Sequence, residues 1–316
     1  MMTPWYRLAQ RVSGVLPPDR YGRLAEWIMD WWWRWAAGDR AGVQANLSAV
    51  LGEAQGRDPA LAREVFRHFG RYLAEFLSAH QRERYPFVVE GLEPFEKFRG
   101  ARPGPILLSA HIGNWEVAAI AVGRLGLRTG VVALPHQDPR VNQFFVEQRA
   151  RCGVETIILG AGATKQAMRF LQEGGMLGML GDWDFAGNGL AVSCFGRRAS
   201  VPRGPAVLSL RTGAPALPVF FIREGPWRFR FHVEPPIWPK AGDTVESLTQ
   251  RYTEILERAI RRWPTQWMRF RPFDNAGDAA YPQSSSPRRH LSCAVGSGRP
   301  GVPPAASPAQ SGGVQL

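Results

Sequence analysis

Cysteine is scarce in this chain: three residues in 316, Cys152, Cys194 and Cys293, far apart and odd in number. That spacing carries neither a disulfide framework nor the paired cysteines of a zinc site, and it favours a reducing compartment. No apolar run is long and charge-free enough to span a bilayer, which takes about 20 residues. The first residues lack a clean apolar h-region and a small-residue cleavage site, so no secretory signal peptide is expected. No internal repeat of fixed period is present. A lysine-rich arm and a nucleic-acid-binding motif are both missing, so no nucleic-acid partner is expected. There is no G-x-S-x-G elbow, which argues against a serine hydrolase.

What the chain does have is apolar residues, positive charge and tryptophan. Hydrophobic residues make up 45%, enough to bury a sizeable core, and the formal net charge is +12. Such a charge suits an anionic membrane surface or an acidic protein partner. Twelve tryptophans are present, and six fall within the first 35 residues: Trp5, Trp27, Trp31, Trp32, Trp33 and Trp35. An indole, half apolar and half polar, favours a membrane interface.

Pro17-Pro18-Asp19 starts a helix expected to run to about Gly38. Arg23, Glu26, Asp30 and Arg34 recur at steps of three or four residues and make one polar stripe on a mostly apolar helix. Four charges argue against a spanning helix; the pattern reads as a helix lying in the interface, or else as one packed on its own domain. A second helix follows Asp58-Pro59, an N-cap with proline at the first helical position.

From residue 86 onward short apolar runs alternate with helical segments. The runs are Phe87–Val89, Ile106–Ser109, Val131–Leu134, Thr156–Leu159, Met176–Leu180 and Leu217–Ile222. The segments between them include Trp115–Leu125, Arg140–Cys152, Thr164–Gln172 and Val201–Thr212. This alternation predicts an α/β fold with a mostly parallel central sheet flanked by helices. Trp227–Val233 is expected to pair with Leu217–Ile222 as a hairpin, and Thr244–Arg262 to form a closing helix. The chain is expected to divide into a Trp-rich membrane-associating helical element (residues 1–40), a main α/β domain (41–274) and a disordered tail rich in Ser, Pro, Gly and Ala (275–316).

The most informative stretch is Pro105-Ile-Leu-Leu-Ser-Ala-His111-Ile-Gly-Asn-Trp-Glu116. An apolar strand ends near His111. Asn114 suits the N-cap of the next helix, and Glu116 falls in that helix's first turn. Ligands bind at such strand ends in α/β sheets. An imidazole, a carboxylate and free helix amides gathered there suit a general base, its orienting acid and an anion-stabilising site. A core histidine satisfied by backbone, with Glu116 as a favourable first-turn acid, is the plainer alternative.

Asp182 and Asp184 follow the run Met176–Leu180, so they also sit at a strand end. Paired acids can bind a metal, but no further ligand cluster accompanies them, and no metal is expected. One of them is expected to support His111 or a substrate hydroxyl. Arg197 and Arg203 flank a Gly/Pro-containing segment and are candidates for a substrate phosphate, since the guanidinium fork matches phosphate geometry.

The box His111-Ile-Gly-Asn-Trp-Glu116 resembles the HxxxxD/E motif of glycerolipid-type acyltransferases, and in this form the branch that acylates lipid A and related glycolipids. The likeness runs over roughly residues 40–273. It takes in Asn46-Leu47, Arg149-Ala-Arg-Cys-Gly153, Gly181-Asp-Trp-Asp184, Phe195-Gly196 with Val201-Pro-Arg-Gly204, Thr212-Gly-Ala-Pro215 and Pro264-Thr-Gln-Trp267. Two places depart from the family pattern. Trp183 stands where Gln is usual, and Gln266–Phe273 lacks the His-Arg-Arg of the lipid A enzymes.

The resemblance implies transfer of a fatty acyl chain from an acyl-carrier-protein or CoA thioester to a lipid hydroxyl, with no other cofactor. His111 would be the base and Glu116 the acid that orients it. Gly113 and Asn114 would offer amides to the oxyanion, and Arg149 would contact a phosphate or carbonyl. The acceptor would be a lipid A precursor, another glycolipid such as a phosphatidylinositol mannoside, or a lysophospholipid. The protein would sit on the cytoplasmic face of the bacterial inner membrane. A thioesterase, with water replacing the alcohol, and a non-catalytic membrane scaffold are the readings of other classes.

Overall fold

The computed structural model describes residues 3–81, 87–185 and 187–274. The expected tail, 275–316, lies outside the described residues.

Five helices come first: α1 (Thr3–Val15), α2 (Pro18–Trp35), α3 (Ala37–Leu51), α4 (Glu53–Gly56) and α5 (Pro59–Ser78). Proline at the first turn starts α2 and α5, and the Asp58 side chain caps α5 by accepting from the Ala60 amide. The expected α2 and α5 are present; α1, α3 and the single turn α4 are additional.

The two acids of the α2 polar stripe, Glu26 and Asp30, turn toward α5, while Arg23 and Arg34 stay exposed. Asp30 accepts from Arg63 at 2.7 Å and Arg67 at 2.8 Å, and Glu26 accepts from Arg71 at 2.7 Å, all on α5. Trp32 and Trp33 pack edge-on against Phe66 of α5, with centroids 5.4 and 5.0 Å away. The opposite face is apolar and exposed: Trp27 (65%), Ile28, Trp31 (57%) and Trp35 (74%). Thus α2 packs on its own domain by one face and presents tryptophans to solvent by the other.

The alternating part follows as β1 (Val88–Glu90), α6 (Glu93–Glu96), β2 (Ile106–Ser109), α7 (Trp115–Gly123), β3 (Thr129–Ala133), α8 (Pro139–Arg151), β4 (Val154–Ile158), α9 (Ala163–Gln172) and β5 (Met176–Leu180). Then come β6 (Leu190–Cys194), β7 (Arg197–Val201), α10 (Gly204–Thr212), β8 (Ala216–Gly225), β9 (Arg228–Val233) and α11 (Val245–Arg262), ending in a 3-10 turn at Pro264–Gln266. The main sheet has seven strands in the order β1-β9-β8-β2-β5-β3-β4. All neighbours are parallel except β8 and β9, which form the expected antiparallel hairpin.

The central strand β2 is buried along its whole length, as expected for a parallel strand covered on both faces. Its Ile106 and Leu108 point to opposite clusters from Leu107 in the period-two manner of a strand. The antiparallel pair β6–β7 was not expected. Its five-residue strands are half exposed and lack a long apolar run; the β6 strand gains order from α11, where Gln250 accepts from the Ser193 amide at 3.0 Å.

Candidate active site

Strands β2 and β5 are parallel neighbours, and Ser109 lies opposite Leu180 at their carboxyl ends. The residues two places beyond each end therefore meet. His111 Nδ1 and the Asp182 carboxylate oxygen Oδ1 are 2.8 Å apart. An ionised carboxylate can only accept, so Nδ1 carries the hydrogen, and in the neutral ring Nε2 keeps its lone pair.

Asp182 is buried, and burial alone pushes its pKa upward. His111, the Trp267 indole and the nearby Arg269 overcome this and hold the carboxyl down at about 2. Trp267 Nε1 donates to Asp182 Oδ2 at 2.8 Å, and Arg269 Nη1 donates to the Asp182 carbonyl at 2.5 Å. Asp182 therefore stays charged, with both oxygens held in place. The C-terminal segment that supplies these donors is clamped by Asn46. The Asn46 amide donates to the carbonyls of Arg269 and Arg271, and its oxygen accepts from the Phe273 amide. Behind Trp267 packs Phe195 of the β6–β7 turn, at 5.7 Å.

Glu116 does not take the place expected for it. Its carboxylate is gripped by Arg149, with Nε 2.8 Å from Oε2 and Nη2 2.5 Å from Oε1. Both side chains are buried. The first turn of α7 turns Glu116 toward α8, away from the imidazole that sequence spacing suggested. Arg149 correspondingly spends this fork on Glu116 and not on a substrate phosphate.

Gly113 and Asn114 are also engaged. The Gly113 amide donates to the Gln266 carbonyl at 3.1 Å, and the Asn114 amide donates to the Phe221 carbonyl at 3.0 Å. Neither amide is available to an oxyanion. Gly113 has φ +64°, and a Cβ there would sit 1.9 Å from the Phe221 carbonyl oxygen, so only glycine lets this turn press against β8. Asn114 caps α7 through its oxygen, which accepts from the Val117 amide at 3.1 Å. Its nitrogen donates to Glu75 at 2.7 Å.

Glu75 in turn accepts a buried fork from Arg223, Nε to Oε1 at 2.7 Å and Nη2 to Oε2 at 2.5 Å. The backbone of Arg223 holds the Gln266 side chain from both ends. Arg223 thus ties α5, the turn after β2 and the segment bearing Trp267 into one buried network. Single-sequence reading missed Glu75, Arg223, Trp267 and Arg269, because no local pattern links them; Gln266-Trp267 within the Pro264 box was the one available signal.

The remaining candidates lie elsewhere in the hydrogen-bond scheme. Asp184 Oδ2 accepts from the Gly189 amide at 2.8 Å and the Ser200 hydroxyl at 2.9 Å, stapling its own loop to β7. Arg197 pairs with Asp274 at 3.0 Å on the surface. Arg203 is an exposed residue at the start of α10. A cavity of about 560 Å³ between α1 and α8, lined by Arg7, Leu8, Arg11, Arg140 and Phe144, shares no lining residue with the His111–Asp182 pair. Among the described residues no group of His, Cys, Asp and Glu is arranged to hold a metal ion.

Comparison with known proteins assigns the chain to a family. Residues 6–272 match the family described as bacterial lipid A biosynthesis acyltransferase. A phosphatidylinositol mannoside acyltransferase of Mycobacterium tuberculosis is 28% identical over 246 residues, covering 73% of this chain and 75% of the relative. One of Mycolicibacterium smegmatis is 28% identical over 240 residues, covering 73% of this chain and 78% of the relative. A helix-flanked, mostly parallel sheet that ends in a histidine box, matched over most of its length by one family, identifies the chain as a member of the lipid A biosynthesis acyltransferase family and an O-acyltransferase of lipid or glycolipid biosynthesis.

Proposed function

We propose that His111 is the general base that activates a hydroxyl of a glycolipid acceptor for attack on an acyl thioester. An alcohol is a poor nucleophile until a base takes its proton, and an imidazole titrates near working pH. The hydroxyl proton passes to Nε2 as the oxygen attacks the thioester carbonyl. The imidazolium that forms is stabilised through Nδ1–H by Asp182, which takes the orienting role in place of Glu116. The tetrahedral intermediate collapses, the thiolate leaves, and the proton on Nε2 is available to it. With the Gly113 and Asn114 amides spent, the first-turn amides of α7 at Trp115 and Glu116 are the donors that face no carbonyl of a preceding turn. They are our candidates for the oxyanion. The pair Glu116–Arg149 fixes the end of the helix that carries them.

The donor in this reading is an acyl-carrier-protein or CoA thioester, and the net charge of +12 suits an acidic carrier. For the acceptor we place a mannose-bearing inositol phospholipid ahead of a lipid A precursor. The relatives named above act, by name, on phosphatidylinositol mannoside. The segment Gln266–Phe273 also departs from the lipid A pattern. No described helix is long and apolar enough to cross a membrane. The exposed tryptophan face of α2 instead supports docking on a membrane surface, with the indoles in the interfacial layer; this reading takes that surface to be the cytoplasmic one.

The 2.8 Å contact between His111 and Asp182 carries the proposal. Its test is lipid mass spectrometry of the native host, comparing wild type with His111→Ala at equal protein level. Loss of one acyl chain from a glycolipid in the mutant would give the acceptor and the chain length together. An unchanged lipidome, with no paralogue present, would sink it.

A further inference from the structure

Three aromatic rings crowd the imidazole of His111. Trp115, Phe185 and Trp183 each meet it edge-on, with centroids 5.0, 5.6 and 5.8 Å away. Trp183 and Phe185 stack on each other at 4.0 Å. The guanidinium of Arg269, which also holds the Asp182 carbonyl, lies 4.7 Å from the Trp183 ring centroid. The loop carrying both rings is held at Asp182 by the dyad and the Trp267 indole, and at Asp184 by Gly189 and Ser200. The rings therefore sit in fixed places beside the base and leave the imidazole side chain only 15% exposed.

Any base that activates an alcohol can also activate water, which outnumbers a lipid acceptor by orders of magnitude. In transfer, the acceptor O–H bond breaks, its proton goes to Nε2, the oxygen bonds to the acyl carbon, and the C–S bond breaks. The products are ester and thiol. In hydrolysis water takes the acceptor's part, and the products are carboxylic acid and thiol. An ordered water needs two to four polar partners to be held for attack. Against three aromatic rings it finds few. A lipid hydroxyl arrives with a carbon framework that those rings can cover.

We propose that Trp183 and Phe185, with Trp115, form a water-excluding wall around His111 that sets the ratio of acyl transfer to thioester hydrolysis. This rests on His111 being the base. Excluding water also strengthens the interaction between the imidazolium and Asp182, so one wall serves both selectivity and rate.

The experiment measures thiol release from palmitoyl-CoA by the purified full chain with no acceptor present. Trp183→Ala and Phe185→Ala should each raise acceptor-independent release by roughly tenfold or more over wild type, as water gains access to the base. Adding His111→Ala to either should abolish the rise. Trp183→Phe, which keeps a ring in place, should release far less than Trp183→Ala. The wall is overturned if both alanine variants keep the wild-type circular dichroism and unfolding midpoint yet release thiol no faster than wild type. It is equally overturned if the rise survives His111→Ala. The base reading fails separately, when His111→Ala in the otherwise native chain retains wild-type transfer.

Discussion

His111 and Asp182 stand 71 residues apart in the chain and 2.8 Å apart in space, because β2 and β5 are adjacent parallel strands whose carboxyl ends lie in register. The pair is a dyad made by strand pairing, and its strength comes from what surrounds the acid. His111 itself, then Trp267 and Arg269, keep Asp182 charged although it is buried.

Asp182→Asn should cost activity far more than stability. The amide keeps the shape but cannot fix the tautomer or offset the imidazolium, and kcat should fall roughly 10²- to 10⁴-fold. Trp267→Phe removes one neutral donor to the same carboxylate and should cost about tenfold. Acyl transfer assayed beside urea unfolding separates the two effects; a Trp267→Phe loss equal to that of Asp182→Asn would contradict the assignment.

Glu116→Gln should behave in the opposite sense, with stability the first casualty. It strands the buried Arg149 guanidinium, whose pairing with Glu116 outweighs its own burial. Removing one partner of a buried pair costs about 3–5 kcal/mol. The double variant Glu116→Gln with Arg149→Met should recover part of that loss. Denaturant midpoints check this, and a single variant as stable as wild type would show that the pair contributes little.

His68 gives the fold an acid sensitivity. Burial first, then Arg223 and Arg71, hold its pKa down from 6.5 to about 2. They prevail over Glu64, whose Oε1 is 3.5 Å from Nε2. His68 Nδ1 accepts from Arg223 Nη1 at 2.6 Å, which requires the neutral ring. Below pH 6.5 the unfolded chain binds a proton that the folded chain does not, so stability falls as pH drops. By pH 5 the loss from this one group is about 2 kcal/mol. Comparing unfolding free energies at pH 7.5 and 5, His68→Gln should remove that portion of the slope; an unchanged slope would mean that His68 is not held neutral.

The tryptophan face of α2 should act in membrane binding and not in folding. Trp27, Trp31 and Trp35 are all more than half exposed, while Glu26 and Asp30 of α2 are paired with arginines of α5. Replacing all three by Ser should weaken flotation with phospholipid vesicles roughly tenfold or more, because interfacial binding scales with buried apolar area. The unfolding midpoint should stay near that of wild type. Equal flotation of variant and wild type would remove this face from the docking surface.

Much of the architecture was legible from local pattern. The β2 and β5 boundaries, Ile106–Ser109 and Met176–Leu180, follow directly from their apolar runs. Asn114 and Asp58 cap the helices they precede, as short side chains with an acceptor oxygen do. The short pair β6–β7 lacks a long apolar run, and part of its order comes from α11 rather than from its own ladder.

The sequence by itself determined where the strands end, and so that His111, Asp182 and Asp184 come at strand tips where an α/β sheet binds ligands. It also determined the surplus of tryptophan that α2 presents. Only the tertiary structure decided which carboxylate meets the imidazole. Spacing along one segment puts Glu116 near His111 in sequence, but the helical turn rotates that side chain onto Arg149 of α8. Strand register delivers Asp182 instead. Local periodicity controls the direction of a side chain relative to its own element. Which distant element stands opposite is settled by sheet order, and no window of one sequence contains both partners.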